Sequence, residues 1–170
     1  MRNILILLVA FLSTSAQAQS KTTESLQKKY SESLALFFYN NTLRMVNLTE
    51  DKEFDELIKD IEKMKFLMIK KNGFEKAEYK KLISDYKAEA YEEMMTSRHD
   101  GKNFDVYMRD GKSKGMIVTV NDDENLYVLD IVGSFPLNKV TKLFSTIDSS
   151  SEIGKRIKDF ASNDDKDEAH

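Results

Sequence analysis

Residues 91–132 constrain the fold more than any other segment, because four stretches of alternating apolar and polar side chains follow one another there. Asp100-Gly101 and Asp110-Gly111 stand at two of the three joints, and Asp-Gly supplies the positive φ angles that tight hairpin turns need. The third joint is the polar stretch 121–124. The pattern predicts a four-stranded antiparallel meander, with strands near 91–98, 103–109, 114–120 and 125–132.

Alternation within the meander also indicates which side chains face the core. In its second and third strands, the apolar side of the alternation consists of Phe104, Val106, Met108, Met116, Val118 and Val120. The fourth strand is apolar on both faces from 126 to 132, which predicts a central strand or one that is covered on both sides.

Helical periodicity accounts for much of the remaining chain. Apolar residues spaced three and four apart predict a long N-terminal helix over 23–48, a short helix over 53–61 and an amphipathic helix over 74–90. The long helix is apolar on two opposite sides, so it must be covered on both, either by its own domain or by a partner. Asn41 lies within one apolar stripe, and we interpret it as a buried structural amide in preference to a binding residue.

One further strand and a C-terminal helical region complete the predicted elements. A period of two at 63–70 predicts the strand, whose neighbour in the sheet the pattern does not identify. Pro136 opens a predicted C-terminal helix, since proline suits the first turn of a helix. Ser149 and Glu152 match a capping box for one more short helix.

Together these patterns predict an α+β protein with a single domain over residues 19–161. Its antiparallel sheet is expected to have four or five strands, and its helices to pack mainly on one face. The segment 162–170 is charged and has no apolar face to bury, so we expect a disordered acidic tail.

The first eighteen residues have the three-part layout of a secretory signal peptide. A positively charged start precedes the apolar run 4–12, and Ala16-Gln17-Ala18 is a small-x-small cleavage pattern. A membrane-spanning helix needs about 20 apolar residues, roughly twice the length of this run. We therefore expect cleavage between Ala18 and Gln19, and export to a bacterial periplasm or to the exterior.

Composition excludes several classes of chemistry. The 170-residue chain has no cysteine, two histidines and a formal net charge of −3. The missing cysteines exclude disulfides, thiolate catalysis and Cys-based zinc sites. One histidine is the last residue, so a His-rich metal centre is excluded as well. Without a basic excess there is no general electrostatic signal for nucleic-acid binding.

His99 is the histidine inside the predicted domain, and it stands at the start of an Asp-Gly turn. A general base there would have Ser97 and Asp100 as neighbours. Turn residues are usually solvated, however, and a single histidine without a partner motif is weak support for catalysis. We therefore assign no catalytic residue.

Two acidic segments, 121–124 and 164–168, offer oxygen ligands for calcium. Neither has the glycine at the sixth position and the glutamate at the twelfth that an EF-hand loop requires, so we interpret both as solvated. The lysines at 63, 65, 70 and 71 form a basic strip, which we interpret as a solvated face.

Methionines on predicted strands offer thioether ligands for Cu(I): Met64, Met68, Met94, Met95, Met108 and Met116. Alternation already places Met64, Met68, Met108 and Met116 inward, so we interpret the group as core filling. No metal-binding or cofactor-binding residue is assigned, and no cofactor is expected.

Three stretches are informative in their order along the chain: Phe38–Met45, Ile58–Leu67 and Leu126–Ser134. Together they resemble a bacterial exported family known only as domain of unknown function 4252. The resemblance extends from Ser25 to Phe144. It implies a signal peptide, a compact α+β domain and an accessory role in the bacterial envelope, and it carries no catalytic residues.

The leading functional hypothesis is a non-enzymatic binding or regulatory domain of the bacterial envelope, with a protein partner at the long N-terminal helix. The chain has no Gly-rich phosphate loop, no G-x-S-x-G motif and no HExxH motif. A pair of carboxylates needs no fixed spacing, so a small hydrolase or ligand-binding enzyme stays an alternative. A structural envelope component is the third hypothesis.

Overall fold

The computed structural model describes residues 19–46, 52–71, 74, 76–99, 101–111, 113–140 and 142–143. Within these ranges four helices and six strands follow one another, and a 3₁₀ turn comes last. In order they are α1 (Lys21–Lys29), β1 (Leu34–Tyr39), α2 (Asn40–Val46), α3 (Lys52–Ile58), β2 (Ile61–Lys70), α4 (Lys76–Ala88), β3 (Glu92–His99), β4 (Lys102–Arg109), β5 (Gly115–Asn121), β6 (Asn125–Gly133) and the turn Leu137–Lys139.

All six strands form one sheet in the order β1-β2-β6-β5-β4-β3, and every neighbouring pair is antiparallel. The predicted meander is confirmed as the hairpins from β3 to β6, and Gly101 and Gly111 at its Asp-Gly joints have φ angles of 73° and 102°. The strand predicted at 63–70 is β2, and its neighbour is the last strand, β6. The sheet has one strand more than predicted, because β1 adds to the free side of β2.

Helices cover the sheet on both faces, which corrects the prediction that they pack mainly on one. On the face called here the α2/α3 face, α2, α3 and the segment after β6 pack on side chains that include Met64, Val106, Met116, Val118, Leu129 and Ile131. On the opposite α1/α4 face, α1 and α4 pack on side chains that include Leu67, Ile69, Tyr107, Ile117, Leu126 and Val128. The central strands are apolar on both faces, so one layer of helices would leave half of their side chains in water.

The predicted orientation of the meander is confirmed. Val106, Met116 and Val118 are buried in the core of the α2/α3 face, and Phe104 and Met108 are partly buried against it. β6 lies between β2 and β5, with core side chains on both faces, as its continuous apolar sequence predicts.

The predicted long helix over 23–48 is wrong. The chain forms α1, then β1 at Leu34–Tyr39, and then the short helix α2. A continuous apolar run has no period that separates a buried helix from a strand, and aromatic residues favour the strand. Pairing with β2 along all six residues of β1 decides between the two states, because it satisfies backbone groups that the sequence pattern does not show.

Two polar residues also differ from their predicted surroundings. Asn41, expected in the core, is exposed on α2. Its neighbour Asn40 has the structural role instead, since its side-chain amide donates to the carbonyl oxygens of Ile58 at 3.1 Å and Ile61 at 2.8 Å. Lys65, expected on a solvated face, is buried at 3% exposure within β2.

The C-terminal region agrees with the prediction as far as it is described. Val140 is helical, and Val140 and Leu143 are buried on the α2/α3 face. The predicted signal peptide, the capping box at 149–152 and the tail at 162–170 lie outside the described residues. None of the described helices is both long enough and apolar enough to cross a membrane.

Candidate functional site

The described part of the sheet ends at two edge strands, β1 and β3, whose sequences differ in what they allow to bind. β3 carries Glu92, Glu93 and Arg98, and its pairing with β4 shifts register between Glu93 and Met95. Charges and bulges of this kind prevent an edge from pairing with another chain. β1 has neither, because Leu34–Tyr39 is uncharged and pairs with β2 in unbroken register.

Two aromatic side chains of β1 are exposed to solvent. Phe37 is 48% exposed and Tyr39 is 59% exposed, whereas Phe38 between them is 8% exposed and packs on the α2/α3 face. Alternation therefore directs Phe37 and Tyr39 toward the α1/α4 face, at the margin of the sheet. Large apolar side chains grouped on an exposed edge are typical of interaction sites.

Positive charge lies next to these aromatic side chains. In the register of β1 and β2, Phe37 is opposite Lys65 and Tyr39 is opposite Lys63. The Nζ atom of Lys65 lies 4.9 Å from the centroid of the Phe37 ring, which is a cation–π contact. Among the described residues, neither lysine forms an ion pair with a carboxylate. We call the outer side of β1, with Phe37, Tyr39 and Lys63, the β1 edge.

A buried carboxylate lies further inside the same face. Asp130 of β6 is 0% exposed and stands opposite Lys65 of β2 in the sheet register. Its Oδ2 atom accepts a hydrogen bond from the backbone N–H of Ser20 at 3.0 Å. Its Oδ1 atom accepts no hydrogen bond from the described residues. Buried polar atoms without a partner are rare in native proteins, so this oxygen requires an explanation.

The surroundings of Asp130 favour its neutral form. Burial raises the pKa of Asp130 to about 6 from its ordinary value of 3.8. The Thr23 side chain, the Ser20 N–H and the positive charges of Lys65 and Arg109 lower the pKa, but they do not offset burial. Asp130 therefore changes charge close to neutral pH.

The start of α1 is fixed by a second carboxylate, that of Glu89, which follows α4 in the chain. Its oxygens accept hydrogen bonds from the backbone N–H groups of Lys21 at 3.1 Å and Thr22 at 2.6 Å. They also accept from the hydroxyls of Thr22 at 2.6 Å and Ser20 at 3.1 Å. A negative charge is stabilising at a helix N-terminus, where backbone N–H groups have no partner within the helix. Residues 20–22 are thus held by Glu89 and Asp130 together.

A third carboxylate on this face, Asp105 of β4, has a structural arrangement. It is 6% exposed and accepts hydrogen bonds from the hydroxyls of Thr96, at 2.6 Å, and Tyr79. The Tyr79 hydroxyl also forms a hydrogen bond of 3.0 Å with Thr119. Burial and the hydrogen bond to Asp105 raise the pKa of Tyr79 far above its ordinary value. Because the donors come from α4 and β3, Asp105 fastens both elements to the sheet.

Two clefts are formed by described residues near these elements. One of about 470 Å³ lies at the ends of β1, β2 and β6, where its lining includes Asn40, Asp60, Glu62 and Lys114. Gly133 also lines it, with a φ of 118°, and a Cβ atom there would overlap the carbonyl oxygen of Asp60. The second, about 300 Å³, lies between α1 and α4. Over the described ranges, no three His, Cys, Asp or Glu side chains are grouped so that they could hold a metal ion.

The described residues among the sequence candidates for a general base and for calcium binding lie on the edge strand β3 and in the turn before β6. His99 is the last residue of β3 and pairs with Lys102 across the hairpin, Ser97 is exposed, and Asp100 lies outside the described residues. In the acidic turn, Asp122 accepts from the backbone N–H groups of Glu124 at 2.8 Å and Asn125 at 2.7 Å, so it shapes the turn that leads into β6.

The methionines fall into two groups. Met64 and Met116 are buried in the core of the α2/α3 face, and Met95 and Met108 pack against it. Met94 is 48% exposed on β3. The interpretation as core residues is confirmed for Met64 and Met116, and Met95 and Met108 pack against the core. It is wrong for Met94, and Met68 is half-buried.

Sequence reasoning missed the β1 edge and the burial of Lys65 and Asp130, which are opposite each other in β2 and β6. A signal for the first was present in the composition, because residues 34–39 include three aromatic side chains, which favour a strand. A signal for the second was the single carboxylate of Asp130 within an otherwise apolar central strand. Neither pattern identifies its partner strand.

Comparison with known proteins identifies a family. The model of a family described as Domain of unknown function (DUF4252) matches residues 35–143, more than half of the chain. No curated protein and no solved structure matches the sequence.

Proposed function

The chain belongs to the DUF4252 family, and from this premise we propose that it is an exported, non-enzymatic binding domain of the bacterial envelope. In this proposal, its β1 edge pairs with an extended acidic segment of another envelope protein. The partner site thus moves from the N-terminal helix expected from the sequence to β1, the strand that replaces the middle of that helix.

The difference between the two edge strands carries this proposal. β3 has charges and a bulge, which are the features that keep an edge strand from pairing, and β1 has none of them. An uncharged edge with exposed aromatic residues is a site for strand addition, in which main-chain hydrogen bonds supply affinity and alternate side chains supply specificity. Phe37 and Tyr39 supply those side-chain contacts, since they are exposed on the same face.

Charge indicates the chemistry of the partner. Lys63 lies opposite Tyr39 and has no carboxylate partner among the described residues, and Arg44 on the adjoining α2 is in the same situation. An acidic strand would neutralise these cations. A second copy of this chain would bring the same cations against them, and like charges across an interface are unfavourable. The acidic segment is therefore favoured over self-association.

The buried polar groups of the α1/α4 face support a role other than catalysis. Asp105 is occupied by Tyr79 and Thr96, and Glu89 is occupied by the start of α1. Each of these carboxylates joins elements of the fold: Asp105 accepts from α4 and β3, and Glu89, which also lines the cleft between α1 and α4, accepts from residues 20–22. No observation among the described residues favours the hydrolase or the structural alternative specifically.

The test uses a blocked peptide in which glutamate and valine alternate, titrated into the isotope-labelled protein and followed by backbone NMR. We expect chemical-shift changes concentrated in the amides of residues 34–39. The double variant Phe37→Ser/Tyr39→Ser should weaken binding about tenfold or more, because it removes the two exposed anchors.

Met94→Ser is the matched control, since Met94 lies on the opposite edge strand and is as exposed as Phe37, at 48%. It should leave the dissociation constant unchanged, and a lysine–valine peptide should bind more weakly than the acidic one. Equal binding by the double variant, or shifts that centre on β3, would contradict the proposal. A dimer detected by light scattering and abolished by the double variant would instead assign the β1 edge to a second copy.

A further inference from the structure

The buried oxygen of Asp130 and the predicted cleavage site lie at the same place in the fold. Ser20, two residues after Ala18, is 0% exposed and donates its backbone N–H to Asp130 Oδ2 at 3.0 Å. Gln19 is half-buried at this position. Consecutive Cα atoms are about 3.8 Å apart, so the backbone nitrogen of Gln19 lies within about that distance of the Ser20 nitrogen.

We propose that removal of the signal peptide completes the Asp130 site, because the new α-ammonium group of Gln19 binds the oxygen Oδ1 that otherwise has no donor. Hydrolysis of the Ala18–Gln19 peptide bond by a signal peptidase leaves a carboxylate on Ala18 and a protonated amine on Gln19. The amine brings both a positive charge and hydrogen-bond donors to a carboxylate that has one oxygen still available. This inference rests on the export that is part of the proposed function.

The geometry around the site supports an ion pair between the Gln19 ammonium and Asp130, because the residues that follow Gln19 are held in place. Glu89 holds the backbone N–H groups of Lys21 and Thr22, and the Ser20 hydroxyl accepts from the backbone N–H of Thr23 at 3.2 Å. The residues immediately after the cleavage site are therefore fixed in direction. A terminus that is already ordered loses little conformational freedom when its amine binds.

The cations near Asp130 do not donate a hydrogen bond to its Oδ1 atom. Lys65 directs its Nζ atom to the Phe37 ring, and Arg109 lies over the Tyr91 ring with its guanidinium 4.6 Å from the ring centroid. The Nε atom of Arg109 donates to the carbonyl oxygen of Ser113 at 2.9 Å. Both cations thus contact other groups and neither hydrogen bonds to Oδ1. An ammonium on Gln19 supplies the donor that they do not.

The test compares three forms of the chain made by cleavage of a fusion protein. One begins at Gln19 with a free amine, and one begins at Gln17 so that Gln19 keeps a neutral amide. In the third, glutaminyl cyclase joins the Gln19 amine to its own side-chain carbonyl carbon and releases ammonia, which removes the charge without adding residues. We expect the free-amine form to have an unfolding constant about tenfold smaller than the other two, which is the effect of roughly one pKa unit of interaction.

Two further measurements separate an ion pair from a general effect of the terminus. The α-amine of the free form should titrate in NMR at a higher pH than that of a peptide with the same first residues, because Asp130 stabilises its charge. Asp130→Asn should remove the difference in stability between the free and cyclised forms. If Asp130→Asn does not fold, the amine titration and the wild-type comparison decide.

Equal stability of the free-amine and cyclised forms, with an ordinary α-amine titration, would overturn the inference. These recombinant forms do not depend on export, so that result would leave the β1 edge untouched. Export is tested apart, by sequencing the N-terminus of the chain recovered from the envelope fraction. A chain there that still begins at Met1 would contradict export even if the recombinant ion pair forms.

Discussion

Asp130 and Lys65 show how much one residue can depend on partners that are distant in sequence. They are opposite each other in the sheet, yet in the chain β2 and β6 are separated by α4 and the first three strands of the meander. Each is buried, although charged side chains are rarely buried unless paired. Lys65 lies over the Phe37 ring and Asp130 accepts from the Ser20 N–H, so each depends on contacts that the sequence pattern does not show.

Asp130 also gives a pH dependence with a definite sign. In a chain that keeps residues before Gln19, the folded pKa of Asp130 is about 6, above the ordinary 3.8. The folded state therefore binds this proton more tightly than the unfolded state does. The resulting stability is complete below about pH 4 and is lost as the pH rises through about 6.

The measurement is urea denaturation of this extended chain and of its Asp130→Asn variant at several pH values. The stability of the variant relative to the parent should rise by about 2–3 kcal/mol from pH 4 to pH 7. Lys65 on β2, Arg109 on β4, Tyr86 on α4 and Glu89 and Tyr91 after it also surround Asp130. Both chains keep these groups, so the difference in stability between them reports on Asp130. If that difference did not change with pH, the raised pKa of Asp130 would be refuted.

At the scale of elements, α1 is attached at both ends. Its last residue, Lys29, forms an ion pair with Glu78 of α4, and Glu89 binds its first turn. Glu89 accepts four hydrogen bonds there, from the Lys21 and Thr22 amides and from the Ser20 and Thr22 hydroxyls. The helix has nine residues, which is too short to be stable alone. Its order therefore depends on this attachment and on the burial of Leu26.

Glu89→Gln should release α1 without unfolding the sheet. The glutamine keeps the shape of the side chain but loses the charge and one acceptor, which costs about 1–3 kcal/mol. Hydrogen exchange measured by mass spectrometry should become faster in residues 21–29 while β5 and β6 keep their protection. Glu93→Gln is the control, because Glu93 hydrogen bonds to Lys87 and Thr96 at the surface. Unchanged exchange in α1 would show that packing alone holds the helix.

The elements differ in how far the sequence predicts them, for a physical reason. The meander is local, since Asp-Gly turns and alternating side chains are both properties of neighbouring residues. β1 is not local, because its state depends on hydrogen bonds to β2 that form across α2 and α3. The apolar run of β1 therefore fits a helix as well as a strand. Because the sequence pattern does not identify the strand, it does not identify the exposed aromatic residues of the candidate site either.

For the whole molecule, the sheet is the layer that both cores share. Adjacent residues of β6 face opposite sides, so Leu129 packs on the α2/α3 face and Val128 packs on the α1/α4 face. A core on each face explains how a chain without cysteine is stabilised. The central strands bury side chains on both faces of the sheet. We therefore expect a substitution in the centre of either core to weaken the whole sheet.

The last prediction follows from this shared layer: the described domain should unfold in one step, whichever core is weakened. Leu129 and Val128 are 2% and 0% exposed. Leu129→Ala should cost about 2–5 kcal/mol, and Val128→Ala somewhat less, about 1.5–3 kcal/mol.

Two probes test whether both faces respond together. Tyrosine fluorescence reports mainly on the α1/α4 face, where Tyr86, Tyr91 and Tyr107 are buried, and far-UV circular dichroism reports on the whole sheet. For each variant the two probes should give the same urea midpoint, with the slope of the parent protein, because the surface exposed on unfolding is unchanged. If Leu129→Ala shifted the dichroism midpoint and left the tyrosine signal at its original midpoint, the two faces would be independent folding units, and the sheet could not be the layer that couples them.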